Sequence, residues 1–158
     1  MRLAFVVPGP PVPSERVRKV PFRKRNGKLG IRGFTPPRSV EYMQRVEAFA
    51  RSAMQQTPAW RAIAEGKEPL RVHLHFVRAK WLGDLDNLQK SAIDGLQKAG
   101  VLTNDNRIVQ ILASVHTDKT AKHRTEIILE RATRKQPGAL WKTLAILHGW
   151  TPPKGIAA

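Results

Sequence analysis

The sequence contains no cysteine. This absence excludes disulfide frameworks, thiolate zinc sites, iron–sulfur clusters and cysteine nucleophiles. Its longest aliphatic or aromatic run, residues 3–7, is far too short to cross a bilayer. Pro8 ends that run before it reaches the length of a secretory signal core, so we expect a cytoplasmic protein with no membrane partner. Any chemistry that the chain performs has to use oxygen and nitrogen groups.

Acidic residues are also scarce. The 158 residues include 28 Lys and Arg against 12 Asp and Glu, which leaves a formal net charge of +16 at pH 7. This net charge is larger than a small domain needs for solubility. The positive groups repel one another unless a polyanion is close. Nucleic acid is therefore the favoured partner, and the alternative is a basic protein with a well-solvated surface.

Apolar periodicity predicts four strands and two main helices. Strands are expected at residues 3–7, 70–77, 108–115 and 125–129, and the last two are expected to pair as a hairpin. One helix should follow Ser39 as its N-cap and end before residue 58, with Tyr42, Val46, Phe49, Ala50 and Ala53 facing the core. The other should cover residues 88–99 and end at Gly100.

A basic arm occupies residues 15–38. Asn26-Gly27 predicts a hairpin turn within it. A mobile cationic segment can follow a phosphate backbone and release counterions, so we expect DNA contact, with a merely solvated loop as the alternative. We expect the same of Arg78 and Lys80. The stretch from Arg16 to Arg38 has no acid and nine basic residues: Arg16, Arg18, Lys19, Arg23, Lys24, Arg25, Lys28, Arg32 and Arg38.

Aspartates are concentrated in one stretch. Four of the five in the chain, Asp84, Asp86, Asp94 and Asp105, lie within 22 residues. If the segment is extended, Asp84 and Asp86 project from the same face and can converge on one cation. Mg²⁺ suits them, because it prefers hard oxygen ligands and often binds one or two carboxylates plus substrate phosphate oxygens. Asp105 reaches the same place only if the loop after the helix folds back.

Each of these aspartates also has a purely structural interpretation. Asp86 fits the N-cap of a capping box that Gln89 would complete. Asp94 has a lysine four residues away on each side, which is typical of helical ion pairs, and we assign it to structure. Asp105 lies in the segment Thr103-Asn104-Asp105-Asn106, whose composition is typical of a turn. Composition and spacing alone therefore indicate no more than a candidate metal site.

Residues 84–90, DLDNLQK, then residues 94–100, DGLQKAG, and Asn104-Asp105 resemble the core motif of RusA-type Holliday-junction endodeoxyribonucleases. The N-terminal strand with its proline-rich turn is similar to that family too, as is Thr35-Pro36 before a helix containing Tyr42. The likeness spans residues 1 to about 132.

The resemblance implies a homodimeric, Mg²⁺-dependent nuclease that makes paired cuts across a four-way DNA junction, with Mn²⁺ as the alternative metal and no other cofactor. In the family, the acids that match Asp84, Asp86 and Asp105 bind the metal and are catalytic. The lysine that matches Lys90 is also needed. Asn104 departs from the family's paired acids, so a fourth carboxylate is missing here.

We therefore expect one α/β (α+β-like) domain over residues 1–134, with a small mixed sheet flanked by helices, working as a two-fold dimer. Residues 135–158 should form a C-terminal tail with a short helix. Trp81 lies beside the acids and could stack on a base, although a core or interface role is the alternative. The rival functions are a non-catalytic nucleic-acid-binding protein and a metal-dependent nuclease without junction specificity.

Overall fold

The computed structural model describes residues 1–80 and 84–132. The predictions for Trp81 and for the C-terminal tail lie outside the described residues. The strands are β1 (Arg2–Pro8), β2 (Arg18–Arg23), β3 (Leu29–Phe34), β4 (Leu70–Arg78), β5 (Ile108–Thr117) and β6 (Arg124–Arg131). The helices are α1 (Pro37–Gln56), α2 (Trp60–Glu65) and α3 (Leu85–Ala99), and a 3₁₀ turn, Asp105–Arg107, precedes β5.

The main sheet is mixed, as predicted, with the strand order β1-β6-β4-β5. β4 runs parallel to β5 and antiparallel to β6. The predicted hairpin of β5 with β6 is wrong, because β4 lies between them. α3 carries the chain back along the sheet, so β5 enters parallel to β4, which leaves the other side of β4 for β6. Where the chain crosses the end of β4, the Asp118 amide donates to the Arg78 carbonyl at 3.0 Å.

The helices pack on one face of the sheet rather than on both. Alternate residues of β4, such as Leu74 and Phe76, are fully buried in the core with α1 and α3. On the opposite face, Arg71, His73 and His75 are only half-buried. The mixed sheet was therefore predicted correctly, but in the described residues one of its faces lacks a helical layer. No helix in those residues has both the length and the apolar character needed to span a membrane.

α1 begins earlier than predicted. Pro36 is the N-cap and Pro37 takes the first helical position, where a missing N–H costs nothing. Ser39 is therefore not the cap. It is buried, its Oγ donates to the Pro13 carbonyl at 3.1 Å, and the same Oγ accepts from the Glu15 amide at 3.3 Å. Ser39 thus ties the proline-rich loop that follows β1 to α1.

The core face of α1 is largely as predicted. Tyr42, Val46, Ala50 and Ala53 are buried, whereas Phe49 is 38% exposed. Phe49 lies at the edge of the apolar stripe. The three- and four-residue spacing of apolar residues therefore predicted a wider buried face than the helix has.

α3 ends as predicted, at a left-handed Gly100 with φ 75°. Its start differs, because Asp84 rather than Asp86 occupies the N-cap and its side chain makes no capping hydrogen bond. The capping box predicted for Asp86 and Gln89 is therefore wrong. Asp86 lies in the first helical turn and is exposed, where the helix dipole favours a negative charge.

The glycine in the middle of α3 sets the distance between the two long helices. A Cβ added to Gly95 would lie 2.7 Å from Val46 Cβ and 2.9 Å from the Met43 carbonyl oxygen. Such contacts are too close for real side chains, and both neighbours belong to α1. Gly95 is therefore required by packing, although glycine weakens an isolated helix.

We expect Gly95→Ala to lower the free energy of unfolding by about 1–2 kcal/mol in urea denaturation. Overpacking costs about 1–3 kcal/mol, and the upper part of that range applies because one of the two contacts is with a backbone carbonyl. This cost outweighs the gain of about 1 kcal/mol in helix propensity. Gln97→Ala, on the half-exposed side of the same helix, is the matched control and should be neutral or slightly stabilising. A stabilised Gly95→Ala protein would show that the helices are not in close contact.

Candidate active site

An acidic groove lies between α3 and the start of β5. Its volume is about 550 Å³, and the loop after α3 folds back far enough for Asp105 to line it together with residues of α3. This is the placement on which a shared site for Asp86 and Asp105 depends. The groove is lined by Asp86, Gln89, Lys90, Ile93, Asp94, Asp105, Asn106, Ile108 and Ile111.

The amphipathic pattern of α3 orients its part of the groove. Leu88, Ala92, Leu96 and Ala99 are buried in the core at three- and four-residue spacing. The groove residues Asp86, Lys90 and Asp94 repeat every four residues, which places them together on another side of the helix. Core packing of the apolar stripe therefore fixes the direction in which the acids and the lysine point.

Asp105 opens the 3₁₀ turn, but it does not hold the turn together. The side chain of the preceding residue, Asn104, accepts from the Asn106 amide at 2.9 Å. This is the side-chain to backbone bond that a turn requires. The carboxylate of Asp105 is exposed on the groove, and within residues 1–80 and 84–132 it makes no hydrogen bond that holds the turn.

Arg107 anchors the Asp105 loop to the end of α2. Its guanidinium donates to the carbonyls of Ile63 and Ala64, each at 2.6 Å, and to the carbonyl of Glu68 at 3.1 Å. It also donates to Thr103 Oγ1 at 3.2 Å. No pattern in the sequence indicates this role, because the carbonyl partners lie 39 to 44 residues upstream. Arg107 is thus a positioning residue for the groove.

Two other aspartates behave differently from expectation. Asp94 was predicted to form ion pairs with Lys90 and Lys98, but it has no such pair within 4 Å among the described residues, and it lines the groove instead. Asp84 is exposed at the start of α3, where Asn87 Nδ2 donates to its Oδ2 at 3.4 Å. Asp84 is not part of the groove wall.

The groove offers oxygen ligands but not a complete metal cage. Within residues 1–80 and 84–132, no three Asp, Glu, His or Cys side chains come together closely enough to hold a metal ion. Asp86 and Asp105 nevertheless share the groove, and Mg²⁺ commonly uses one or two carboxylates and takes its other oxygens from phosphate and water. The donor set therefore fits Mg²⁺ in the presence of a phosphate substrate. A ligand role for Asp84 stays a prediction.

The basic arm forms a two-stranded ribbon. β2 and β3 pair antiparallel around the predicted Asn26-Gly27 turn, where Gly27 has φ 79°. Nearly every residue of the ribbon is exposed. A ribbon of this kind is an element that the major groove of B-DNA admits. Lys80 is exposed as well, whereas Arg78 is buried at 7% exposure and cannot be the open surface contact that the sequence suggested.

We expect Arg107→Met to lower the free energy of unfolding by about 1–2 kcal/mol, because three half-buried carbonyls lose a charged donor whose hydrogen bonds are worth on the order of 1 kcal/mol each, and water replaces part of that loss. Arg61→Met is the control, since Arg61 is an exposed arginine of α2 that makes none of these bonds. Chemical denaturation of both variants measures the difference. Equal stabilities would mean that Arg107 does not anchor the loop.

Comparison with known proteins places these features in one family. The family model described as endodeoxyribonuclease RusA matches residues 8–130, which include the proline-rich loop, the ribbon, α3 and the Asp105 turn. None of the curated proteins matches the chain at a significant level. Because the matched region covers most of the 158 residues, the chain belongs to the RusA family of endodeoxyribonucleases.

Proposed function

We propose that this protein resolves four-way DNA junctions by paired, Mg²⁺-dependent hydrolysis of phosphodiester bonds, with Mn²⁺ as the alternative metal. Membership of the family supports the nuclease class and the junction substrate. The observation that carries the catalytic part is the groove in which Asp86, Lys90 and Asp105 meet. Two of these residues come from α3 and one from the far end of the loop that follows it.

Each groove residue has a chemical role in this proposal. Asp86 and Asp105 would hold Mg²⁺ together with oxygens of the scissile phosphate, and Asp84 is proposed as a further ligand. When bound, the metal supplies an activated water and neutralises phosphate charge. Lys90, one turn from Asp86, is suited to stabilise the negative charge that develops on the phosphate.

The rival interpretation is a nucleic-acid-binding protein in which the aspartates only stabilise the fold. Two observations count against it. Asp86 is not the N-cap of α3, and Asn104 rather than Asp105 holds the turn. The helix dipole favours Asp86, but in the described residues neither carboxylate makes a side-chain hydrogen bond or ion pair that would account for it. A catalytic explanation accounts for both.

We also propose a homodimer, because a two-fold dimer presents two equivalent sites to a junction that is cut on two strands. One of the two outer strands of the sheet, β5, supports this proposal. Its Val109 is 60% exposed and its Leu112 is 43% exposed. Apolar residues on an edge strand are usually covered in the working assembly. Sedimentation equilibrium that gave the mass of a single chain would contradict the dimer.

We expect Asp86→Asn and Asp105→Asn each to reduce cleavage of a synthetic four-way junction about 100-fold or more, because a carboxylate ligand of the metal is lost. Junction binding should persist or tighten, since the change removes an anion from a basic surface. Asp118→Asn is the isosteric control and should cut normally, because the Asp118 carboxylate accepts from Thr120 in a turn outside the groove.

The same assay includes linear duplex, a flap substrate and EDTA. Metal-dependent cuts confined to the junction support the proposal. Cuts in every substrate would favour a nuclease without junction specificity, and binding without cuts would favour a binding protein. If the Asp86→Asn and Asp105→Asn variants failed to fold, the two carboxylates would be needed for the structure and their catalytic role would not be supported.

We expect simultaneous replacement of Arg23, Lys24 and Arg25 by Gln to weaken junction binding and to flatten its salt dependence. Each lost contact with a duplex phosphate lowers the slope of log K against log salt by about 0.9. The charge-matched control replaces Arg61, Lys67 and Arg131, which lie outside the ribbon. If both triple variants bind alike, the ribbon is not a DNA contact.

A further inference from the structure

A second cavity lies at the C-terminal end of β4, and none of its lining residues belongs to the acidic groove. Its volume is about 390 Å³. Arg38, Arg45, Arg78 and Lys80 line it, and Glu41 is the one carboxylate among the described lining residues. Apolar surface from the proline-rich loop completes the wall. The cavity is thus cationic on one side and apolar on the other.

Arg45 is held in place by the proline-rich loop. Its Nη2 donates to the Pro10 carbonyl at 2.9 Å, and its guanidinium carbon lies 5.6 Å from the centre of the Tyr42 ring. The loop leaves room for it at Gly9, where φ is +91° and an added Cβ would lie 2.6 Å from Arg45 Nη1. Gly9 is therefore needed both for its backbone conformation and for the space that the guanidinium fills.

One donor of Arg45 lacks an acceptor. Its Nε is buried and has no hydrogen-bond partner among the described residues. Buried donors of charged groups are rarely left without a partner in folded proteins, because the loss of solvation is not compensated. Because Nε itself is closed to solvent, an anion in the cavity would be met by other atoms of the Arg45 side chain, which lines the cavity wall.

Cations are crowded in this cavity. Arg78 is 7% exposed, and burial, followed by the nearby charge of Arg38, lowers the pKa of Arg78. The interaction with Tyr42 acts on the pKa of Arg78 in the opposite direction but is the smallest of the three effects, and the buried Tyr42 hydroxyl shares a 2.8 Å hydrogen bond with Thr125 Oγ1. Binding of an anion would relieve the repulsion between the two arginines.

We propose that this cavity binds a backbone phosphate of the DNA, separate from the phosphate that is cut. Guanidinium groups form charge-assisted hydrogen bonds to phosphate oxygens, and the cavity is large enough for the adjoining sugar to lie against the prolines. The inference rests on the proposed function, because it takes DNA as the ligand. Free inorganic phosphate has the same chemistry, and the experiment separates the two sources.

The proline-rich loop connects this cavity to the groove. Pro10 holds Arg45 in the cavity, and a few residues later the Ser14 amide donates to the Asn87 carbonyl at 2.8 Å, next to Asp86. A phosphate in the cavity would therefore be held at a fixed position relative to the first turn of α3. The cavity residues act as positioning residues for the strand that enters the groove.

The test uses the full chain with Arg38→Gln and Lys80→Gln combined, because both residues are exposed and the core is untouched. Binding is measured for junctions that carry a single uncharged methylphosphonate at successive positions. At one or two positions the neutral group should weaken wild-type binding roughly 10-fold and the variant hardly at all. The control, Arg61→Gln with Lys67→Gln near the other end of β4, should keep the wild-type pattern.

A second variant, Arg45→Lys, keeps the charge but loses the fixed guanidinium, and it should lose sensitivity at the same positions. The inference would be overturned if every methylphosphonate position weakened junction binding equally in the wild-type protein and in the variants of Arg38, Lys80 and Arg45. A second result would also overturn the inference. If inorganic phosphate raised the melting temperature only when these three residues were present, but no methylphosphonate position depended on them, the cavity would bind free anions and not DNA. This experiment measures binding and not cleavage. A wild-type protein that binds junctions without cutting them would therefore contradict the proposed nuclease function, but the phosphate-binding inference could still be tested.

Discussion

The parallel pairing of β4 with β5 is the constraint on which the arrangement of the site depends. Two parallel neighbours cannot be joined by a tight turn, so the chain has to return along the sheet, and it does so as α3. This return lays α3 beside β5 and leaves the acidic groove between them. The acids of the helix and the acid of the following loop thus meet because of topology, although they are separated along the chain.

Charge is distributed around this frame in a way that fits a polyanionic substrate. The carboxylates of the groove are embedded in a chain with a net charge of +16, and the ribbon and the second cavity carry much of the excess. Such a chain repels itself, and a phosphate backbone would reduce that repulsion wherever it touches the basic surfaces. The acidic groove is the exception, and a divalent cation is what would allow carboxylates and a phosphate to share it.

Local signals predicted the parts of the fold that depend on neighbours in sequence. The alternation in β4, the Asn26-Gly27 turn and the glycine that ends α3 were all confirmed. The predicted β5–β6 hairpin was wrong because β4, which lies far away in the chain, pairs with both strands. The Ser39 and Asp86 caps were wrong because the N-caps of their helices lie three and two residues earlier, at Pro36 and Asp84. The spacing of the aspartates permitted a shared groove without fixing it, and the family resemblance rather than the spacing assigned their roles. Arg107 could not be foreseen, since its carbonyl partners have no sequence signature.

The loop from Pro8 to Ser14 joins three parts of the fold: Gly9 bonds to the carbonyl of His123, Ser39 bonds to the carbonyl of Pro13, and Ser14 bonds to the first turn of α3. Four of its seven residues are prolines, whose restricted backbone leaves the unfolded chain with less conformational entropy to lose. The loop is therefore preorganised before any substrate arrives. Binding energy from a distant phosphate need not be consumed in ordering this connection, and can instead be used to align the strand at the groove.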